Sequence, residues 1–364
     1  MGVVKLGDVA RESRLKWTKS KQDVPIVGLE HLIPDEIRFD AYDINTDNTF
    51  SKRFVKGQVL FGRRRAYQRK AAIAEFDGIC SGDITVIEAI EGKMVPELLP
   101  FIIQTPVFFD YANRGSAGSL SPRVKWEHLA DYEFELPPLE EQKILADKLW
   151  AAYRLKEAYK KLLDATDEMV KSQFIEMFGN PVTNTKGWKT AKIKDVAPEM
   201  PSKEQLSGKI WLLNLDMIES NTGRIIEKVY EDVENALSVQ SFDEGNVLFS
   251  KLRPYLNKVV IPDEPGMATT ELVPLRPEPS KLHKVFLSHL LRGNQFVNYA
   301  NDIAGGTKMP RMPLTELRNF DCILPPMDKQ LEFVFIAEQV DKSKFELKQC
   351  IEHIDKVIKS LING

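Results

Sequence analysis

Two stretches of the chain contain neither glycine nor proline and repeat apolar residues at spacings of three and four. The first runs from Glu140 to Phe178, the second from Asp328 to Asn363. In the second, Phe333, Ala337, Val340, Leu347, Ile351, Ile354, Ile358 and Leu361 keep the register, and Lys344 is its sole break. In the first, Leu145, Leu149, Ala152, Tyr159, Leu163 and Val170 take the equivalent places, with Lys156 at the position of Lys344. Sustained three-four spacing predicts a coiled-coil seam. About 36 residues at 1.5 Å each predict helices roughly 54 Å long. Gly179 and Pro181 supply a stop for the first helix. A stripe that long exceeds what one small domain covers, so the two helices are expected to pair antiparallel, related by a pseudo-two-fold axis. The alternative is that each lies along its own globular domain.

The rest of the chain reads differently. Residues 1–136 and 180–324 are rich in Val, Ile, Phe, Gly and Pro, with strand-like runs at Gln58–Phe61, Ile84–Ile87, Val247–Phe249 and Lys258–Ile261. Helical stretches are expected near Val95–Tyr111 and Leu282–Ala300. The predicted class is α+β: two mixed domains, 1–136 and 180–324, separated by a central long helix over 137–179 and followed by a second over 325–364.

These halves are copies. Residue i matches residue i+188 at Gly57-Gln-Val-Leu-Phe61 and Gly245-Asn-Val-Leu-Phe249. The match continues at Arg65/Arg253, Tyr67/Tyr255, Lys70/Lys258, Gly78/Gly266, Gly118/Gly306, Pro122-Arg123/Pro310-Arg311, Leu136-Pro-Pro138/Leu324-Pro-Pro326 and Gln142/Gln330. One offset holds from Phe54/Phe242 to Gln142/Gln330. Nearer the start it is 187, aligning Lys5-Leu-Gly-Asp-Val-Ala10 with Lys192-Ile-Lys-Asp-Val-Ala197. Two copies of this length are too few and too long for a solenoid.

Charge points to one class of ligand. Arg63, Arg64, Arg65, Arg69 and Lys70 surround Tyr67 with no acid among them. Lys251, Arg253 and Lys258 surround Tyr255 in the same way. Arginine and lysine supply phosphate contacts, and arginine can also read a guanine edge. The other reading of Arg65 and Arg253 is an internal pair with a carboxylate. A second loop carries Arg114, Ser116, Ser119, Arg123 and Lys125, and its counterpart carries Thr307, Lys308 and Arg311. Its glycines free the backbone while hydroxyls and cations suit phosphate. A net charge of −3 counts mildly against a nucleic-acid binder, but binding needs a basic face rather than a basic chain.

Other classes are disfavoured. Cys80, Cys322 and Cys350 are few, odd in number and far apart, and the five histidines show no ligand spacing, so no disulfide framework and no metal site are expected. The start has no apolar signal region and no run approaches a membrane span. The Pro-Pro pairs follow Leu136 and Leu324, which offer no side-chain oxygen to a target amine. No phosphate loop is found, since Gly305-Gly-Thr-Lys308 precedes Met-Pro rather than an apolar helix.

The ordered set of motifs resembles the specificity subunits of type I restriction-modification systems, the HsdS proteins. The carrying residues are Lys5-Leu-Gly-Asp-Val9, the Gly-x-Val-Leu-Phe-x-x-x-Arg-x-Tyr-x-x-Lys run from Gly57 and again from Gly245, the Gly-Ser and Gly-Thr loops, and Leu-Pro-Pro with a following glutamine before each long helix. The resemblance covers the whole chain. It implies two target-recognition domains, each reading half of a bipartite duplex-DNA target, with the helices setting the spacer. It also implies a non-catalytic chain in the prokaryotic cytoplasm that holds two modification subunits and restriction subunits. S-adenosylmethionine, ATP and magnesium are then expected on those partners and no cofactor here. DNA contact is carried over to Arg63, Arg64, Arg65, Tyr67 and Lys70, and to Lys251, Arg253, Tyr255 and Lys258. The first copy reads Arg-Arg-Ala-Tyr where the family usually has Leu-Arg-Pro-Tyr. The rival function is a coiled-coil scaffold for proteins without DNA specificity.

Overall fold

The computed structural model describes residues 2–203, 206–232, 238–306 and 308–363. The chain forms two compact units: residues 1–158 with 350–364, and residues 159–349.

In the first unit, Gly2–Lys5 pairs antiparallel with Glu133–Leu136. A four-stranded antiparallel sheet runs in the order Ala10–Glu12, Ile84–Ala89, Val59–Gly62, Ala71–Ile73. A smaller sheet sets Gly78–Cys80 between parallel Ile26–Val27 and antiparallel Lys52–Phe54. The second unit repeats the plan. Thr190–Lys192 pairs with Asp321–Ile323, Val247–Ser250 lies between Val259–Val260 and Leu272–Leu275, and Gly266–Thr269 lies between Lys209–Leu213 and Val239–Phe242. One strand, Val229–Asp232, is added at an edge. The shared Gly78 and Gly266 have a steric cause. A Cβ on Gly78 would sit 2.6 Å from the Pro25 carbonyl oxygen, and one on Gly266 would sit 2.6 Å from the Phe242 ring.

The expected helix near Val95–Tyr111 is two helices, Leu99–Ile103 and Pro106–Arg114. Pro106 lacks an N–H, and Thr105 Oγ1 caps the second helix by accepting from the Phe108 amide at 3.2 Å. Its counterpart breaks at Gly293 into Lys284–Arg292 and Asn294–Asp302.

The long helices are Leu139–Phe178 and Met327–Asn363. The first ends where Gly179 turns left-handed, with φ 73°, and its amide bonds the Ile175 carbonyl at 2.8 Å. All fourteen predicted seam residues are buried or half-buried. The first turns of each helix nevertheless pack on their own domain, in part the alternative weighed above. Ala146, Leu149, Trp150 and Tyr153 join the core around Phe101 and Phe108, and Phe333, Ala337 and Val340 join the core around Phe286. Trp150 meets Phe101 edge-on at 5.0 Å. A two-residue seam underestimates this face because a helix laid on a domain buries a broader stripe.

Within each unit the helical segments run antiparallel. Lys156 Nζ meets Asp355 at 2.6 Å in the first unit, and Lys344 pairs with Asp167 in the second. The two breaks in the apolar register are thus one ion pair used twice.

Each Leu-Pro-Pro turn is pinned by the glutamine that follows it. Gln142 Oε1 accepts from the Val95 amide at 2.9 Å while its Nε2 donates to the Pro137 carbonyl at 2.8 Å. Gln330 accepts from the His283 amide and donates to the Lys281 and Pro325 carbonyls, each at 2.9 Å. Among the described residues no helix is long and apolar enough to cross a membrane.

Candidate nucleic-acid interface

The basic segment of the first unit begins where Val59–Gly62 ends. The Gly62 amide bonds the Lys70 carbonyl at 2.8 Å, closing the loop. At its tip Ala66–Gln68 forms one 3₁₀ turn held between left-handed Arg65 and Arg69, both with φ 54°. The second unit builds the same loop. The Ser250 amide bonds the Lys258 carbonyl at 3.0 Å, and Pro254–Leu256 sits between left-handed Arg253 and Asn257. The proline missing from Arg64-Arg65-Ala66-Tyr67 therefore leaves the turn unchanged. Non-glycine residues in this region cost about 1–3 kcal/mol each and persist only where surroundings hold them. The result is that Tyr67 and Tyr255 stand 57% and 50% exposed at the same place.

The second predicted loop docks beside the first in each unit. The Arg65 amide donates to the Pro122 carbonyl at 2.8 Å, and the Val124 amide to the Arg63 carbonyl at 3.0 Å. The second unit matches both bonds, from Arg253 to Pro310 at 2.7 Å and from Met312 to Lys251 at 2.9 Å. Segments more than fifty residues apart in sequence thus form one surface.

Side-chain partners sort the predicted cations. Arg64 and Arg123 both pair with Asp83, at 3.3 and 2.7 Å, and Arg64 also donates to Ser121 Oγ. Burial alone would raise the Asp83 carboxyl, but the bond and charge of Arg123, and then of Arg64, hold it below its usual value. Glu271, at the same repeat position as Asp83, pairs with Arg311 at 2.9 Å. Arg69 pairs with Asp35 at 2.5 Å and lies over the Phe109 ring. None of these carboxylates is among the expected residues; the offset of 188 joins Asp83 to Glu271 and marks those two, whereas Asp35 falls against Gly223. Carboxylate pairing, expected as the other reading of Arg65 and Arg253, falls instead on Arg64, Arg69, Arg123 and Arg311.

Lys70 and Lys258 are half-buried, and each holds a backbone carbonyl. Lys70 Nζ donates to the Leu29 carbonyl at 2.7 Å, and Lys258 Nζ to the Leu215 carbonyl at 2.6 Å. Each ammonium group thus ties its loop to the backbone of a neighbouring 3₁₀ turn, Leu29–His31 or Leu215–Met217. Ser116 Oγ likewise caps the Ala112 carbonyl at 3.0 Å. Arg114, Ser119, Arg123, Lys125, Lys308 and Arg311 are exposed. Thr307 lies outside the described residues. Arg63, Arg65, Lys251 and Arg253 are half-buried, and the Nε atoms of the three arginines have no hydrogen-bond partner.

One group among the described residues has the spacing of a metal site: Glu30, His31 and Asp43. His31 Nδ1 accepts the Gly28 amide at 2.9 Å, which assigns the proton of the neutral ring to Nε2. Nε2 faces Asp43 at 3.7 Å and so offers a proton rather than a lone pair. Burial pushes the Cys80 and Cys322 thiols up to about 12, so neither is a ready thiolate.

A family model described as "Type I restriction modification DNA specificity domain" matches residues 1–165 and, again, 185–356. The EcoDI specificity subunit of a type I restriction enzyme from Escherichia coli is 23% identical over 288 residues. The match covers 67% of this chain and 64% of that protein, so it spans under two thirds of the relative's length. A solved chain from work on complex assembly and conformational transition of the type I R-M system superimposes with a TM-score of 0.58 at 16% identity, over 100% of this chain and 96% of that one. The S subunit of a type I restriction-modification system from M. genitalium gives a TM-score of 0.58 at 10% identity, over 99% and 94%. At these identities the two structures speak to the fold alone. The doubled family match coincides with the doubled loop pair, and the chain belongs to the type I restriction modification DNA specificity domain family, whose model it matches in each half.

Proposed function

We propose that this chain gives sequence specificity to a type I restriction-modification complex, each unit reading one half of a bipartite duplex target. The observation that carries the reading is the surface built twice. In each unit a strained turn lifts a tyrosine, and a second loop brings further cations against it. The loop cations would contact phosphates and base edges, with Asp83 and Glu271 fixing the angle of the arginines they hold. Lys70, Lys258 and Ser116 build the loops rather than touch DNA. The chain itself catalyses nothing. Two modification subunits would dock on the helical frame and carry S-adenosylmethionine. Restriction subunits would carry ATP and magnesium, and the frame would set the unread spacer.

The test is co-purification of the chain with the products of neighbouring genes, followed by mapping of methylated adenine in the host genome. Methylation in a split motif that disappears when the gene is deleted supports the reading. A chain that co-purifies with no methyltransferase, in a host whose methylation ignores the deletion, returns the scaffold alternative.

A further inference from the structure

In each unit the second loop is a finger closed at its base. Ala117 and Arg123 exchange both backbone bonds, at 3.0 and 2.9 Å, and Gly305 and Arg311 do the same at 3.0 and 2.9 Å. Gly118 and Gly306 adopt φ 115° and 103° at matching places. Both fingers are tied at the base by an arginine on an acid, Arg123 on Asp83 and Arg311 on Glu271. The bonds at the base are the same, but the tips are not. The tip of the first is Leu120, and the same repeat position in the second is Lys308.

Leu120 is 88% exposed, more than any other large apolar side chain among the described residues. Single exposed leucines are ordinary on protein surfaces. This one stands on a braced loop, beside a cationic surface, where its counterpart is a cation. An apolar tip gains nothing from water or phosphate, so its use is contact with an apolar group on the ligand. On duplex DNA the major-groove group of that kind is the C5 methyl of thymine.

We infer that Leu120 is a specificity-determining residue that reads a thymine methyl in the first unit's half-site, while Lys308 at the same position reads a hydrogen-bond acceptor. The inference rests on the DNA reading above and deepens it. It accounts for two heads of one design selecting different half-sites: the braced backbone places the tip, and the tip's chemistry chooses the base edge.

The experiment uses the full chain co-purified with its modification subunits and two randomised duplex libraries, one containing thymine and one containing uracil in its place. Uracil pairs as thymine does but lacks the methyl. The wild-type complex is expected to enrich a split motif from both, with one position in one half losing about four-fold of its preference in uracil, the factor for burying one methyl group. Leu120→Ala should abolish that difference and leave the other half-site unchanged. Leu120→Lys should shift the same position toward guanine. If Leu120→Ala keeps the thymine-over-uracil preference, or the wild type has none, the inference falls while the DNA reading stands. If the wild-type complex enriches no motif from either library, both fall. Melting curves check that the variants fold, which the exposed tip leads us to expect.

Discussion

Asp83 and Glu271 govern how the basic loops are held. Asp83 sits between Arg64 and Arg123, so removing its charge loosens two guanidiniums at once and leaves Arg64 with Ser121 Oγ. Asp83→Asn should therefore weaken the docking of the finger more than it weakens the fold. The expected readout is lower exchange protection of the Arg65 and Val124 amides, with a melting temperature within a few degrees of wild type. An unchanged protection pattern would show that the backbone bonds alone hold the loop. The pH dependence has a fixed sign. The folded-state pKa of Asp83 is depressed, so its contribution is present above the unfolded value near 3.9 and is lost as pH falls through the folded value. Docking of the finger should be constant near neutrality and fail only in acid. At this scale the cations and the tyrosines were legible in the sequence but their partners were not. Arg64 and Asp83 are distant in sequence and meet only because Val59–Gly62 and Ile84–Ala89 are neighbouring strands. The inward turn of Lys70 depends on the Leu29 carbonyl, which no side-chain pattern advertises.

Among the elements, the long helices were the most legible part of the chain because their signal is local and repeats. What periodicity missed is informative. Trp150 and Tyr153 lie outside the seam yet are buried, since the first half of that helix serves a domain core as well as a partner helix. The polar break at Lys156 and Lys344 was visible, but its answer was not. Asp355 and Asp167 stand at matching repeat positions and take both lysines. A charged pair in an apolar seam favours one alignment of the helices at some cost in stability. Lys156→Asp alone should destabilise the protein by about 1 kcal/mol, between the limits for exposed and buried pairs. Adding Asp355→Lys should recover most of it, and paired urea titrations measure both. Failure of the reversed pair to recover would mean that local surroundings, not the partner, set the cost. The glutamine after Leu-Pro-Pro is a second device at this scale. Gln330→Leu strands the His283 amide and the Lys281 and Pro325 carbonyls. A loss of about 3 kcal/mol is expected from buried groups left without partners. A loss under 1 kcal/mol would show that water replaces the amide.

For the molecule as a whole, duplication is the organising fact, and it was legible at once because a fixed offset survives where residue identities do not. The differences between copies carried no such label. The added strand Val229–Asp232 and the tip change from Leu120 to Lys308 are departures from the repeat, and a pattern search discards departures. Yet a duplicated reader is useful only where its copies differ, so the residues hardest to interpret from periodicity are those that would set the target. This has a quantitative consequence under the DNA reading. Each cluster is built wholly from residues of its own unit, so changes in one should act on one half-site. Arg63→Ala with Arg65→Ala should relax selection in the first half, and Lys251→Ala with Arg253→Ala in the second. Sites that share no partners combine additively to within about 0.5 kcal/mol. The quadruple variant should thus lose, on a logarithmic scale, the sum of the two losses, measured as binding of the intact complex to its split target at fixed salt. A quadruple loss no larger than either double loss would mean that neither head holds DNA without the other. Recognition would then be a single cooperative event across the molecule, and the unit that evolution duplicated would not be the unit that reads.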